Sequence, residues 1–190
     1  MIRSFIAIPL PEEVKKALAG LVQALRPIFP KINWVKLENM HLTLKFLGNI
    51  REDQITQIKR VIVESCRDVS SFSLQGHGLG VFPNVKRARV IWTGVCGETD
   101  LLEKIYFALE KRLAQIGFPE EKRRFQPHLT LGRIKTGASS KLLLEAIQRY
   151  QAFSTSSFTV KEIVLFKSNL HPQGARYTAL ERVELGMGNE

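Results

Sequence analysis

The sequence predicts an α+β fold of two similar lobes, and three observations predict it. Apolar residues recur at helical spacing in three segments, strand-like runs separate those segments in mixed order, and one four-residue motif occurs twice.

The elements follow in order. Arg3 to Ile8 is aromatic and β-branched and ends at Pro9 and Pro11, as a strand feeding a helix would. From Glu12 to Leu25, Val14, Ala17, Leu18, Leu21, Val22 and Leu25 mark an amphipathic helix, and Pro27 and Pro30 stop it. A second helix is expected over Glu52 to Val69, with Ile55, Ile58, Ile62, Val63 and Cys66 as its apolar stripe. A third runs from Asp100 to Gln115 and stops at Gly117. Strands are expected at Trp34 to Val35, His41 to Leu47, Phe72 to Val81, Arg89 to Val95, His128 to Ile134, Phe158 to Phe166 and Tyr177 to Arg182. The turn-rich link FPNVKRA joins two of these runs into an antiparallel pair, which favours α+β over a doubly wound parallel sheet. Residues 1–190 read as a single bilobal domain without an interdomain linker.

No apolar run approaches the roughly 18 residues that span a bilayer, and the opening turns acidic before any signal-peptide pattern, so the expected location is cytoplasmic. Cys66 and Cys96 lack CxxC spacing and are read as buried or half-buried thiols. Lys and Arg outnumber Asp and Glu by 28 to 18, a net charge of +10 that favours polyanionic partners. Two clusters concentrate this charge: Lys86, Arg87 and Arg89, and Lys122, Arg123 and Arg124. Their plainer reading is a solvated face.

The repeat is HLTL, at 41–44 and again at 128–131. Alternation along a strand puts His41 and Thr43 on one face and Leu42 and Leu44 on the other, and likewise His128 and Thr130 against Leu129 and Leu131. The leucines bury; the polar pairs then look into whatever lies between the lobes. Two imidazoles and two hydroxyls suit phosphate ester chemistry, which needs a base for the incoming oxygen, an acid for the departing one and donors for the others. Histidine, with an ordinary pKa of about 6.5, supplies either form near neutrality, and such assistance contributes ~10²- to 10⁴-fold per group. A lone histidine on a strand is usually a packing residue. Packing explains the leucines of a repeated motif but not its repeated His and Thr.

A zinc site is the competing reading of paired histidines, but it needs three or four ligands, and His77 in QGHGLG and His171 in LHPQG are turn-like and in no ligand spacing with the motifs. No GxSxG elbow occurs, so a serine triad is weaker still. By alternation, Lys45 shares the His41 face. Arg133, three residues after Thr130, reaches the cleft to bind substrate only if its strand ends or bulges. Phe5 is expected in the core, with base stacking as its alternative.

The segments RSFIAIPLP, INWVKLENMHLTLKFLGNI, GLGVFPNVKRARVIWTGV, FQPHLTLGRIK, EIVLFKSNL and RYTAL, with Trp34, Gly48 and Pro127 flanking the motifs, carry a resemblance across nearly the whole chain. The chain resembles the two-histidine phosphoesterases, and among them the bacterial and archaeal RNA 2',3'-cyclic phosphodiesterases formerly called 2'-5' RNA ligases. The resemblance implies two antiparallel sheets with flanking helices around a central cleft, related by a pseudo-two-fold axis. It implies His41 as proton donor, His128 as proton acceptor, and Thr43 and Thr130 on phosphate oxygens. It further implies no metal or cofactor, and hydrolysis of RNA 2',3'-cyclic phosphate ends to 2'-phosphomonoesters. Monomeric protein is the expected form and tRNA fragments a candidate substrate. The alternatives are a non-catalytic RNA-binding module or a related enzyme acting on cyclic nucleotides or 2'-5' linkages.

Overall fold

The computed structural model describes residues 1–172 and 174–186. Strand β1 (Ile2–Pro9) gives way at its prolines to helix α1 (Glu12–Leu25), whose first turn carries Glu12 and Glu13 against the positive end of the helix dipole. Its buried stripe is Val14, Leu18, Leu21, Val22 and Leu25, as the spacing predicts. After the short strand β2 (Asn33–Trp34), a single 3₁₀ turn at Leu37–Asn39 delivers the chain into β3 (His41–Ile50). Helix α2 (Gln54–Cys66) is shorter at both ends than the expected Glu52 to Val69, and Val63, expected in its apolar stripe, is exposed. The Gln54 side chain accepts from the Arg51 N–H ahead of it, and a tight turn from Val69 N–H to the Cys66 carbonyl closes it.

Strands β4 (Phe72–Phe82) and β5 (Val90–Gly97) form the expected antiparallel hairpin, and α3 (Thr99–Gln115) ends before Gly117, whose φ of 95° suits a helix terminus. Strand β6 (His128–Arg133) follows. Helix α4 (Ser140–Arg149) has no counterpart in the sequence reading. Ser139 caps it by accepting from the Leu142 N–H, and only Leu143 and Ala146 are fully buried, a stripe too thin to announce a helix. The single run expected at Phe158 to Phe166 divides at Lys161. Its first part, β7 (Phe158–Val160), pairs with β4, and its second, β8 (Glu162–His171), pairs with β1 and with β9 (Gly174–Glu184).

The pairing is antiparallel throughout these strands, in the order β7-β4-β5-β6-β3-β1-β8-β9, with β2 beside β6. This order contains the predicted symmetry. The set β3-β1-β8-β9 mirrors β6-β5-β4-β7, and each half runs strand, helix, motif strand: β1-α1-β3 and β5-α3-β6. Within this order the halves meet at one pair of residues, Leu42 opposite Leu129, and β2 adds Asn33 and Trp34 opposite Arg133 and Gly132. The two sheets inferred from the resemblance are thus the two halves of one strand order, joined at the motifs themselves. Leu42, Leu44, Leu129 and Leu131 are all buried in the core, and truncating any of them to alanine should cost about 2–5 kcal/mol.

Candidate active site

Antiparallel pairing at Leu42 and Leu129 fixes the relation between the motifs. By alternation from this single pair, His41 and Thr43 flank Leu42, His128 and Thr130 flank Leu129, and all four lie on the face opposite the leucines. All four side chains are half-buried.

Both rings are held alike. His41 Nδ1 lies 2.7 Å from the carbonyl of Asn39, and His128 Nδ1 lies 2.8 Å from the carbonyl of Gln126, in each case two residues upstream. A carbonyl can only accept, so each Nδ1 carries the proton and each neutral ring keeps its lone pair on Nε2. Aromatic rings pack around them: Phe5 stacks on His41 at 4.8 Å between centroids and Tyr177 meets its edge at 5.3 Å, while Phe82 meets His128 at 4.9 Å and Trp92 stands 6.1 Å away. Phe5 is a core residue, as expected, and its ring also backs His41. Gly80 makes Trp92's position available, since a Cβ there would collide with the indole ring.

Burial by these rings pushes the His41 pKa down to about 4; the Asn39 carbonyl opposes the shift and the Arg133 charge adds to it. His128 is pushed down for the same reasons, burial first, with Gln126 opposing and Arg133 assisting. Arg133 therefore acts on both rings. Its route to them is a β-bulge: β5 pairs Trp92 with Thr130 but Ile91 with Gly132, leaving Leu131 as the extra residue, so that Gly132 turns inward and Arg133 returns to the side of Thr130. The condition set by the sequence is met.

The first motif carries the matching bulge, and there it overturns an expectation. Pairing of Ala7 with Thr43 and of Ile6 with Lys45 makes Leu44 the extra residue, so Lys45 points into the core rather than sharing the His41 face. Its ammonium donates to Glu110 at 2.7 Å and to the Pro119 carbonyl at 2.7 Å, and Glu110 also accepts from the Glu121 N–H at 2.7 Å. Strand β3 is thereby clamped to α3 and to the segment leading to His128. The cleft position that simple alternation gave to Lys45 is filled by Phe46, which is 66% exposed and lies 6.1 Å from Phe5.

The basic clusters divide. Lys86 and Arg87 are exposed in the turn between β4 and β5, at the Arg133 end of β6, where Val90 pairs with Arg133. Lys122, Arg123 and Arg124 are exposed ahead of His128, and Arg123 is paired with Glu121 at 3.3 Å. His77 lies within β4, not in a turn, and His171 ends β8. Among the described residues, no three His, Cys, Asp or Glu side chains gather to hold a metal ion. Cys66 is buried, its thiol pushed up to about 12 by desolvation, and Cys96 is half-buried; neither is disulfide-bonded. Tyr177, Phe82, Trp92 and Phe166 escaped the sequence reading, because strands distant in sequence bring them together.

A family model described as LigT-like phosphoesterase matches residues 8–92 and 97–177. The RNA 2',3'-cyclic phosphodiesterase of Thermotoga maritima is 37% identical over 179 residues, 94% of this chain and 92% of the relative. That of Methanothermobacter thermautotrophicus is 32% identical over 180 residues, 95% of this chain and 97% of the relative. Among solved structures, TT0787 of Thermus thermophilus superposes with a TM-score of 0.81 at 27% identity, covering 99% of this chain and 100% of that one. Escherichia coli LigT complexed with 3'-AMP gives 0.75 at 26% identity, covering 97% and 98%. With a matching fold, paired motifs at its centre and relatives aligned nearly end to end, the chain belongs to the LigT-like phosphoesterases.

Proposed function

We propose that this protein is an RNA 2',3'-cyclic phosphodiesterase that hydrolyses the terminal cyclic phosphate to a 2'-phosphomonoester with its two histidines and no metal. The observation that carries the reading is the matched setting of the rings, each with Nδ1–H on a backbone carbonyl and Nε2 left for chemistry. Water attacks phosphorus as His128 Nε2 takes its proton, the bond from phosphorus to O3' breaks, and His41 Nε2 gives O3' its proton. Thr43 and Thr130 donate to the non-bridging oxygens, and Arg133 supplies the cation for the anionic phosphorane.

Protonation follows the electrostatics. In the free site both rings are pushed toward the neutral form, which leaves His128 ready to act as base. The donor is charged in the complex, where the phosphate anion pairs with the imidazolium and offsets the Arg133 field. A ring with a depressed pKa is the stronger acid once protonated, which suits expulsion of a ribose alkoxide. The natural substrates in this reading are RNA ends such as tRNA fragments, met by a monomer in the cytoplasm.

The test is incubation of the purified protein with an oligonucleotide ending in a 2',3'-cyclic phosphate, with EDTA present and products identified by ³¹P NMR. A 2'-phosphomonoester is the expected product. Complete loss in EDTA with recovery on adding Zn²⁺ or Mn²⁺ overturns the metal-free mechanism, and RNA binding without turnover favours a non-catalytic module instead.

A further inference from the structure

A polar groove that can serve a longer substrate forms at a place where no cluster is visible in the sequence. At the ends of β1, β3 and β8 lies a groove of about 580 Å³ whose polar lining is Arg3, Asn49, Lys167, Ser168, Asn169 and His171. These side chains come from three segments remote in sequence, and all can donate hydrogen bonds to an anion. Among the described residues, no acidic side chain lines the groove and Arg3 is part of no ion pair. Arg3 and its partner Asn49 share the face of Phe5, and so does Ser168, whereas Lys167 pairs with Ser4 and stands on the opposite face of the sheet. Uncompensated charge is therefore held in this groove, where it can draw in a polyanion.

The groove also continues the catalytic cleft. Phe5 stacks on His41, and Arg3 lies two residues further along the same face of β1, roughly 7 Å beyond it. Ser168 pairs with Tyr177, the ring at the edge of His41, and the β1–β8 register continued by one residue sets Arg3 beside Ser168, which brings the groove's cation next to the site. A second hollow of about 370 Å³, lined by Lys36, Asn39, Arg176 and Tyr177, includes Glu38, which disfavours a polyanion there.

We propose that the groove formed by Arg3, Asn49 and Ser168 binds the RNA backbone on the 5' side of the reacting nucleotide, holding the next phosphodiester while the cyclic phosphate sits between His41 and His128. The proposal rests on the function proposed above and adds a direction to it: the chain leaves the site along β1 and β8, away from the basic turn at Lys86 and Arg87.

The variant Arg3→Gln tests it, since Arg3 is exposed and does not support the core. For wild type and variant, kcat/KM is measured on cytidine 2',3'-cyclic phosphate and on a tetranucleotide with the same 3' end, across a salt series. The expected result is at least a threefold fall in the ratio of tetranucleotide to mononucleotide efficiency, with the salt slope on the tetranucleotide smaller by roughly 0.7 for one lost phosphate contact. An unchanged ratio overturns the proposal. So does the same fall appearing in Lys86→Gln/Arg87→Gln and not in the groove variant. Fluorescence anisotropy of a labelled tetranucleotide bearing a 3'-phosphate separates the two readings. If wild type hydrolyses neither substrate, the proposed activity fails, while weaker binding by the groove variant still supports the groove and equal binding overturns it.

Discussion

Replacing Lys45 by methionine should destabilise the protein severely, although the residue lies outside the cleft. The Lys45 and Glu110 side chains are only 9% and 7% exposed, and their charges are 2.7 Å apart. Removing the ammonium leaves the Glu110 carboxylate buried with the Glu121 N–H as its remaining donor, and leaves the Pro119 carbonyl without Lys45. Breaking one side of such a pair costs about 3–5 kcal/mol, against a total stability of about 5–15 kcal/mol for a typical domain. With a urea slope of about 2 kcal/mol/M, the unfolding midpoint should fall by about 1.5–2.5 M. The companion Lys45→Met/Glu110→Gln removes both charges yet keeps an acceptor for the Glu121 N–H, so it should recover more than half of that loss. Urea unfolding followed by circular dichroism reads both. A midpoint within about 0.5 M of wild type for Lys45→Met, or a double variant no better than the single, refutes the clamp.

The remaining predictions concern the histidines. His41→Ala should cripple hydrolysis of a 2',3'-cyclic phosphate yet keep a larger share of activity on a nitrophenyl phosphodiester, whose leaving group departs without a proton; His128→Ala should be severe on both, and the reverse pattern exchanges donor and acceptor. Because the folded pKa of His41 is about 4 against an ordinary 6.5, the unfolded chain binds the extra proton between those values, and stability falls as pH drops through that window. The loss approaches about 3 kcal/mol by pH 4 from this group, so His41→Asn should narrow the gap between urea midpoints at pH 7 and pH 4.5; an unaltered gap counts against it. Arg133→Met removes a charge that lowers both pKa values, so both imidazole Cε1–H titrations followed by NMR should move to higher pH, and the acid limb of kcat/KM with them. Titrations left in place would mean that Arg133 does not act on the rings.

Local periodicity made α1, α3 and the motif strands legible, because their apolar residues repeat cleanly against one core. It missed α4, where Leu143 and Ala146 are the fully buried positions, and it ran β7 and β8 together, because FTVKEIVLF holds no Gly or Pro and its Lys161 and Glu162 do not by themselves reveal that its two ends join opposite halves. In the site, alternation found His41, Thr43, His128 and Thr130 on one face and failed one step later at Lys45, since a bulge depends on the partner strand. Arg3 and Tyr177 were out of reach for a related reason: each strand places them correctly, but only the sheet order shows that they share a cleft with His41.

The paired bulges bear on how a substrate chooses its orientation. A perfectly two-fold site would be degenerate: a cyclic phosphate would enter either way round, and each histidine would serve as acid in half the complexes. The bulges put a pair of unlike residues, Phe46 and Arg133, at equivalent places across the pseudo-axis, and a second unlike pair, Lys45 and Gly132, behind them. An aromatic face on one side and a fixed cation on the other give the two orientations different energies, and about 1.4 kcal/mol between them makes one ten times more populated. The backbone repeat supplies two copies of a catalytic unit. The residues just past each bulge lift the degeneracy and turn a symmetric pair into a reaction with a direction.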